Sequence, residues 1–261
     1  MNDSKTLDKY LIFGIVTSIG LFTGSYLFDL IYKTVRLLRL KKTNTLAIVY
    51  KYDETINLGT YLKFVNDYKF MDKDKDIYIV IQTLGGKTNY AESICNVILS
   101  HKGKGKIKCY IPNYALSGGS MIALCCDEII MTKESIITPC DSQITTSSDR
   151  YGRPATAIME SIAYKKSNEE TIREEWLILE SMAKKCIESL QMVLDKLCKI
   201  KSYNDETKKI LHEDFFSGKY IHSHNFTAQS IIDTGCKLPI TIVDEIPDDI
   251  KTILELNLDE Q

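Results

Sequence analysis

Residues 110–131, Tyr-Ile-Pro-Asn-Tyr-Ala-Leu-Ser-Gly-Gly-Ser-Met-Ile-Ala-Leu-Cys-Cys-Asp-Glu-Ile-Ile-Met, constrain this chain more than any other stretch. A strand-like run ends at Tyr114. Ser117-Gly118-Gly119 then opens an apolar helical run from Met121 to Cys126. A serine at a strand-to-helix junction is where a nucleophile gains most. The turn exposes its hydroxyl, and the free amides and dipole of the helix N-terminus favour negative charge beside it.

A second segment upstream has the same build. Asp76-Ile-Tyr-Ile-Val-Ile-Gln-Thr83-Leu84-Gly85-Gly86 reads as a buried strand running into a glycine pair, and a helix follows with Ala91, Ile94, Val97 and Ile98 on one face. Strand–Gly-Gly–helix, then strand–Ser-Gly-Gly–helix about thirty residues on, resembles the Clp protease/crotonase superfold. Within it, the chain is similar to the membrane-anchored serine dehydrogenase proteinase family, which is related to signal-peptide peptidase A and the Clp proteolytic subunit. The resemblance covers roughly residues 44–247. It rests on the Thr83–Gly86 turn, the Tyr114–Gly119 elbow, Asp127–Met131, Pro139–Ile144, and Gly218–His224 before Phe226-Thr227-Ala228-Gln229. The chain departs from the family's pattern in three places: Leu84 and Ser142 stand where proline is usual, and Ile221-His222-Ser223 replaces Thr-His-Asp.

The resemblance implies an α/β, Clp protease/crotonase-like fold, with a largely parallel sheet and flanking helices. It also implies peptide-bond hydrolysis and assembly into a homo-oligomer. No Gly-x-Gly-x-x-Gly follows any predicted strand, so no nicotinamide cofactor is expected despite the family's name. The net charge of −2 gives no reason to expect a nucleic-acid partner. The eight cysteines have no Cys-x-x-Cys or paired Cys/His spacing, so they read as reduced core residues and no metal site is expected.

The N-terminus carries a targeting signal. Tyr10 to Phe28 is a run of nineteen residues without a charge, enough to cross a bilayer core. Lys33, Arg36, Arg39, Lys41 and Lys42 follow it, whereas Asp3 and Asp8 offset Lys5 and Lys9 before it. The positive-inside rule therefore predicts a single-pass membrane protein, its short N-terminus outside and its body in the cytoplasm. The expected organisation is an anchor with a basic juxtamembrane stretch over 1–43, a peptidase domain over 44–247, and an acidic tail over 248–261 to which no role is assigned.

Within the domain, strands are expected at 45–50, 76–82, 106–111, 128–131 and 237–243. Helices are expected at 55–70, 88–100, 117–126, 169–201, 204–214 and 227–234. Thr145 to Pro154 reads as an exposed loop gating substrate access. Lys102-Gly103-Lys104-Gly105-Lys106 reads as a solvated turn, with anion or membrane binding as the alternative.

Acyl transfer needs an activated hydroxyl, a base, and amide donors for the oxyanion. Ser117 is the candidate nucleophile. Gly118 offers one amide, and Gly85 or Gly86 the second, because glycine lets backbone approach a substrate closely. The base is left open. The resemblance to the Clp subunits points to a histidine about twenty-five residues after the serine, but that zone, Ile136 to Asp141, has none. Lys165 and Lys166, forty-eight and forty-nine residues after Ser117, are the lysine candidates by analogy with signal-peptide peptidase A, with Lys166 favoured slightly. They would need desolvation to lose a proton near neutral pH. His222 and His224 are the histidine candidates, since imidazole serves as a base without burial. A structural clasp ordering the last helix explains them equally well. Asp141 either orients a base or bonds turn amides, and the structural role is preferred. Two functions lead: a serine peptidase, or a catalytically inactive scaffold binding partners at the membrane. They are separated by whether a lysine or histidine reaches Ser117. A third, crotonase-type chemistry on a coenzyme A thioester, would need site carboxylates and a nucleotide pocket that the sequence does not show.

Overall fold

In the computed structural model, the described residues are 42–50, 54–146 and 152–259, with Ile31, Thr34, Val35 and Leu38 at helical positions before them. The predicted membrane span, Tyr10 to Phe28, lies outside them. No helix among the described residues is long and apolar enough to cross a membrane. The chain divides into two compact units, Met1–Thr43 and Asn44–Gln261, and the second, larger unit holds the sheets.

Its centre is a five-stranded, wholly parallel sheet. β1 (Thr45–Val49), β2 (Ile77–Gln82), β3 (Ile107–Ile111), β5 (Glu128–Met131) and β10 (Ile240–Ile242) lie side by side in that order. β2, Ile-Tyr-Ile-Val-Ile-Gln, is nearly continuously apolar, as a parallel strand covered on both faces must be. α1 (Leu58–Lys69) and α2 (Thr88–Leu99) are crossover helices after β1 and β2. Asn57 caps α1 by accepting from the Thr60 amide while the Thr60 hydroxyl accepts from the Asn57 amide, a reciprocal capping box.

Strands that all run one way divide the domain into two edges. The N-terminal ends gather Asn44, the 71–76 turn and the 100–106 loop. The C-terminal ends gather the glycine pair and Ser117, where open parallel sheets bind ligands. A smaller sheet tops that second edge: β4 (Tyr114–Ala115) pairs with β6 (Ile136–Ile137), which pairs with β9 (Phe226–Thr227). α3 (Gly118–Leu124) is buried along its whole length.

Beyond the sheets, β7 (Gln143–Ile144) and β8 (Arg153–Pro154) form a hairpin where a gating loop is expected. Then comes a helix the sequence reading does not anticipate, α4 (Ala155–Ser167). Its C-terminal residue Ser167 and its C-cap Asn168 look in the sequence like the start of the next helix. That helix, α5 (Glu174–Lys201), therefore begins five residues later than expected. α4 and α5 bury Ile158, Ile162 and Ala183 against each other, with Trp176 and Leu179 partly buried beside them. α6 (Asp205–Leu211), a π-helical turn (His212–Phe216) and α7 (Ala228–Asp233) follow.

The acidic 248–261 stretch, set apart by composition as a tail, forms α8 (Asp248–Asp259) and belongs to the core. Ile250 and Ile253 of α8, with Ile246, pack on Val49 and Val80. The strand register aligns Ala47 with Val80 and Val80 with Tyr110, and all three touch this cluster. Period-2 alternation puts them on one sheet face. Acidic residues on the outer side of the helix mask this apolar stripe from a reading by composition.

Candidate active site

Ser117 stands at the turn between β4 and α3 with φ 51° and ψ −116°, a backbone conformation that L-residues other than glycine rarely adopt. Neighbouring side chains hold it there. The Thr138 hydroxyl accepts from the Ser117 amide at 2.8 Å. The Ser120 hydroxyl donates to the Ala115 carbonyl at 2.6 Å and accepts from the Thr138 amide at 3.0 Å. Ser117 itself is half-buried, and its hydroxyl has no hydrogen-bond partner among the described residues. Strain at a serine with a free hydroxyl is the geometry of a nucleophile elbow.

The glycine pair lies directly against it. Thr83 exchanges backbone hydrogen bonds with β4, from its own amide to Tyr114 and from the Leu116 amide to its carbonyl. This brings the exit of β2 beside the elbow. A Cβ on Gly85 would stand 2.7 Å from the Ser117 Cβ, and one on Gly86 would stand 2.4 Å from the Ile56 backbone. Both glycines have positive φ, +99° and +151°. No other residue fits this approach. The Ile56 amide donates to the Gly85 carbonyl and the Lys87 amide to the Ile56 carbonyl. In that pattern the amide of exposed Gly86 points away from Ile56. Gly118 opens α3, so its amide has no intrahelical acceptor. A Cβ on Gly118 would lie 3.8 Å from the Gly86 nitrogen. Two unclaimed backbone amides thus stand next to a strained serine.

From Thr138 the chain runs past the elbow to Asp141. The Asp141 carboxylate is 4% exposed and accepts from two side chains: the Nδ1–H of His222 at 2.7 Å and the Nε2–H of Gln143 at 2.6 Å. Asp141 is therefore not occupied with turn amides, as the structural role would require; it holds an imidazole. The loop carrying His222 is fixed from both sides. The Phe215 carbonyl accepts from the Cys140 amide at 2.7 Å, and Gly218 lies against Thr156 at the start of α4. His222 is about one-third exposed, and its Nε2 has no partner among the described residues. Thr138 and Asp141 are three residues apart, so at most about 10 Å of chain separates the two contacts.

The other candidates have different surroundings. His224 stacks on Tyr220 at 4.4 Å and packs edge-on to Phe226 at 4.7 Å, an aromatic clasp that orders the loop. Lys165 pairs with Glu170 at 2.7 Å and Lys166 with Glu180 at 2.7 Å, both partly exposed at the C-terminal end of α4. The Ala155 amide bonds the Ser142 carbonyl, so α4 starts next to the site and carries these lysines about 15 Å along its axis from there. No cysteine competes as nucleophile at this edge: burial pushes the Cys140 thiol well up, as it does those of Cys95 and Cys126.

Against known families, residues 41–260 match the model of the ClpP-like SDH-type serine proteinases. The chain belongs to that family. Two uncharacterized proteins of Methanocaldococcus jannaschii are also similar to it. MJ1495 is 31% identical over 84% of this chain and 73% of its own length. MJ0137 is 30% identical over 70% of this chain and 59% of its own length. Among solved structures, a serine-to-alanine mutant of the 1510-N membrane-bound stomatin-specific protease aligns with a TM-score of 0.48 at 18% identity, over 77% of this chain and 79% of that one. A lysine-to-alanine mutant of that protease in complex with a substrate peptide aligns with a TM-score of 0.48 at 17% identity, over 77% and 75%.

Proposed function

We propose that the protein is a serine peptidase in which Ser117 is the nucleophile, His222 the general base and Asp141 the group that orients the base. The observation that carries this assignment is the His222–Asp141 hydrogen bond, 2.7 Å long, on the segment that also holds the Ser117 amide. A carboxylate on Nδ1 fixes the imidazole tautomer and leaves Nε2 as the acceptor.

The chemistry follows from those roles. Ser117 Oγ attacks the scissile carbonyl carbon and passes its proton to His222 Nε2. The carbonyl oxygen becomes an oxyanion, held by the amides of Gly118 and Gly86. Collapse of the tetrahedral intermediate breaks the C–N bond, and His222 gives its proton to the leaving amine. Water, deprotonated by His222, then attacks the acyl-enzyme and releases the carboxylic acid and free Ser117. Preorganised amide donors act where charge develops, and losing one commonly costs about 10²–10³ in rate.

The polypeptide substrate follows from the family. The membrane reading is supported by the charge-free run Tyr10 to Phe28 and the basic residues after it. On that reading the protein is a single-pass membrane peptidase with this domain in the cytoplasm, and the sequence resemblance implies a homo-oligomer. The test is digestion of casein by the detergent-solubilised full chain and by its Ser117→Ala variant, followed by mass spectrometry. Cleavage that falls at least about 10³-fold in the variant is expected. Equal cleavage by both would remove Ser117 as nucleophile. No cleavage by either, with peptide libraries as substrate too, would favour a scaffold.

A further inference from the structure

The Lys102-Gly103-Lys104-Gly105-Lys106 loop has no part in the chemistry, yet it is built with care. It lies on the 71–76 turn at the N-terminal edge of the sheet. A Cβ on Gly103 would stand 1.8 Å from the Lys73 carbonyl oxygen, and one on Gly105 would stand 1.9 Å from that of Lys75. The glycines are therefore required on the packed side. The chain bends over Gly103–Gly105 with the glycines against the turn, and Lys102, Lys104 and Lys106 are all exposed. The loop is also braced. The Lys104 amide donates to Asp74, the Lys106 amide to Asp76, the Gly105 amide to the Lys73 carbonyl, and His101 bridges the Tyr68 hydroxyl and the Gly105 carbonyl.

The aspartates beneath are turned to this bracing. Asp76 also pairs with Lys108, and Asp72 with Lys75. Among the described residues no ion pair engages Lys102, Lys104 or Lys106. The result is a braced comb of three exposed ammonium groups outside any ion pair among the described residues, with the Asp76 and Glu128 carboxylates feeling the charge of Lys106. The polypeptide joins the domain at the same edge. The Asn44 side chain donates to the carbonyls of Asp72 and Asp76 and accepts from the Asp72 amide. Asn44 stands sixteen residues after the charge-free run ends at Phe28, and five of the intervening residues are Lys33, Arg36, Arg39, Lys41 and Lys42.

We infer that this lysine comb docks on the anionic lipid headgroups of the membrane that the N-terminal segment enters, setting the sheet's N-terminal edge toward the bilayer and the Ser117 edge away from it. The inference rests on the membrane reading above. The shared location of the comb and the chain's point of arrival selects a bilayer over a soluble anion. Each lysine near an anionic surface adds about fivefold to the preference for it, so three give about a hundredfold.

The full chain would be reconstituted into vesicles of phosphatidylcholine alone or with about 30% phosphatidylserine, floated on a density gradient, and labelled with a membrane-impermeant amine reagent read by mass spectrometry. Flotation with both vesicle types is expected. Labelling of Lys102, Lys104 and Lys106 should fall at least about threefold on the anionic vesicles and recover in about 1 M salt, where the screening length is about 3 Å. Lys87, at the opposite edge, should label equally on both. Flotation without protection would overturn the comb and leave the anchor standing. Flotation with anionic vesicles alone would support the comb and remove the anchor, and flotation with neither would remove both. Equal protection by millimolar inorganic phosphate in detergent would assign the comb to a soluble anion and overturn the bilayer.

Discussion

Ser117 combines a strained backbone with a hydroxyl that has no partner among the described residues, and its neighbours hold that strain in place. A non-glycine residue in this region stores about 1–3 kcal/mol. Replacement by glycine would release that strain at an entropic cost of about 0.5–1 kcal/mol. Ser117→Gly is therefore expected to gain up to about 2 kcal/mol in denaturant unfolding while losing activity, whereas Ser117→Ala keeps the strain and should unfold like the parent. A Ser117→Gly protein no more stable than Ser117→Ala would mean that the elbow is relaxed. The base makes a second prediction. Asp141→Asn preserves shape but favours the wrong His222 tautomer, so kcat should drop about 10⁴-fold with KM little changed. Lys165→Ala and Lys166→Ala remove only exposed ion pairs, so activity should stay within about twofold and stability within about 0.5 kcal/mol. A collapse in either lysine variant, with Asp141→Asn active, would transfer the role of base to lysine. Ser117 and the glycines are legible in the sequence because turn chemistry is local: a strained turn and a close backbone approach select their residues on the spot. The His222–Asp141 pair is not, because the two residues are 81 apart in sequence and meet only through the fold.

At the scale of elements, periodicity succeeds where one apolar face is long. The parallel strands and the crossover helices α1 and α2 can be read from their apolar spacing, as can the stripe Ala183, Leu190, Val193 and Leu197 of α5. α4 escapes because it buries only Ala155, Ile158 and Ile162, and because residues that end it resemble an N-terminal cap. α8 escapes because its acidic face outweighs its apolar one. Its contribution can be measured. Ile250 is 2% exposed and packs against Val49, Val80, Ile246 and Ile253. Ile250→Ala is expected to cost about 2–4 kcal/mol by chemical denaturation, from lost transfer energy and the cavity left behind. A cost below about 1 kcal/mol would show that α8 can leave the sheet without unfolding it.

For the domain as a whole, the direction of the strands decides what faces what. All five strands of the main sheet run the same way, so the edge at which the chain arrives and the edge that bears the glycine turn and Ser117 lie at opposite ends of β2. Six residues of strand make that separation about 20 Å. The comb and the elbow share no side chain, and β2 between them is buried along most of its length. At 20 Å, two Debye lengths at 0.1 M salt, direct electrostatic coupling through solvent is largely screened. Lys102→Glu, Lys104→Glu and Lys106→Glu together should therefore leave kcat/KM for a short soluble peptide in detergent within about twofold of the parent. A tenfold loss of peptide cleavage in detergent would mean that the two edges are coupled, through the sheet or through a neighbouring copy of the chain. The independence of the two edges would then be lost, and with it the view that one end of the sheet meets the bilayer while the other meets the substrate.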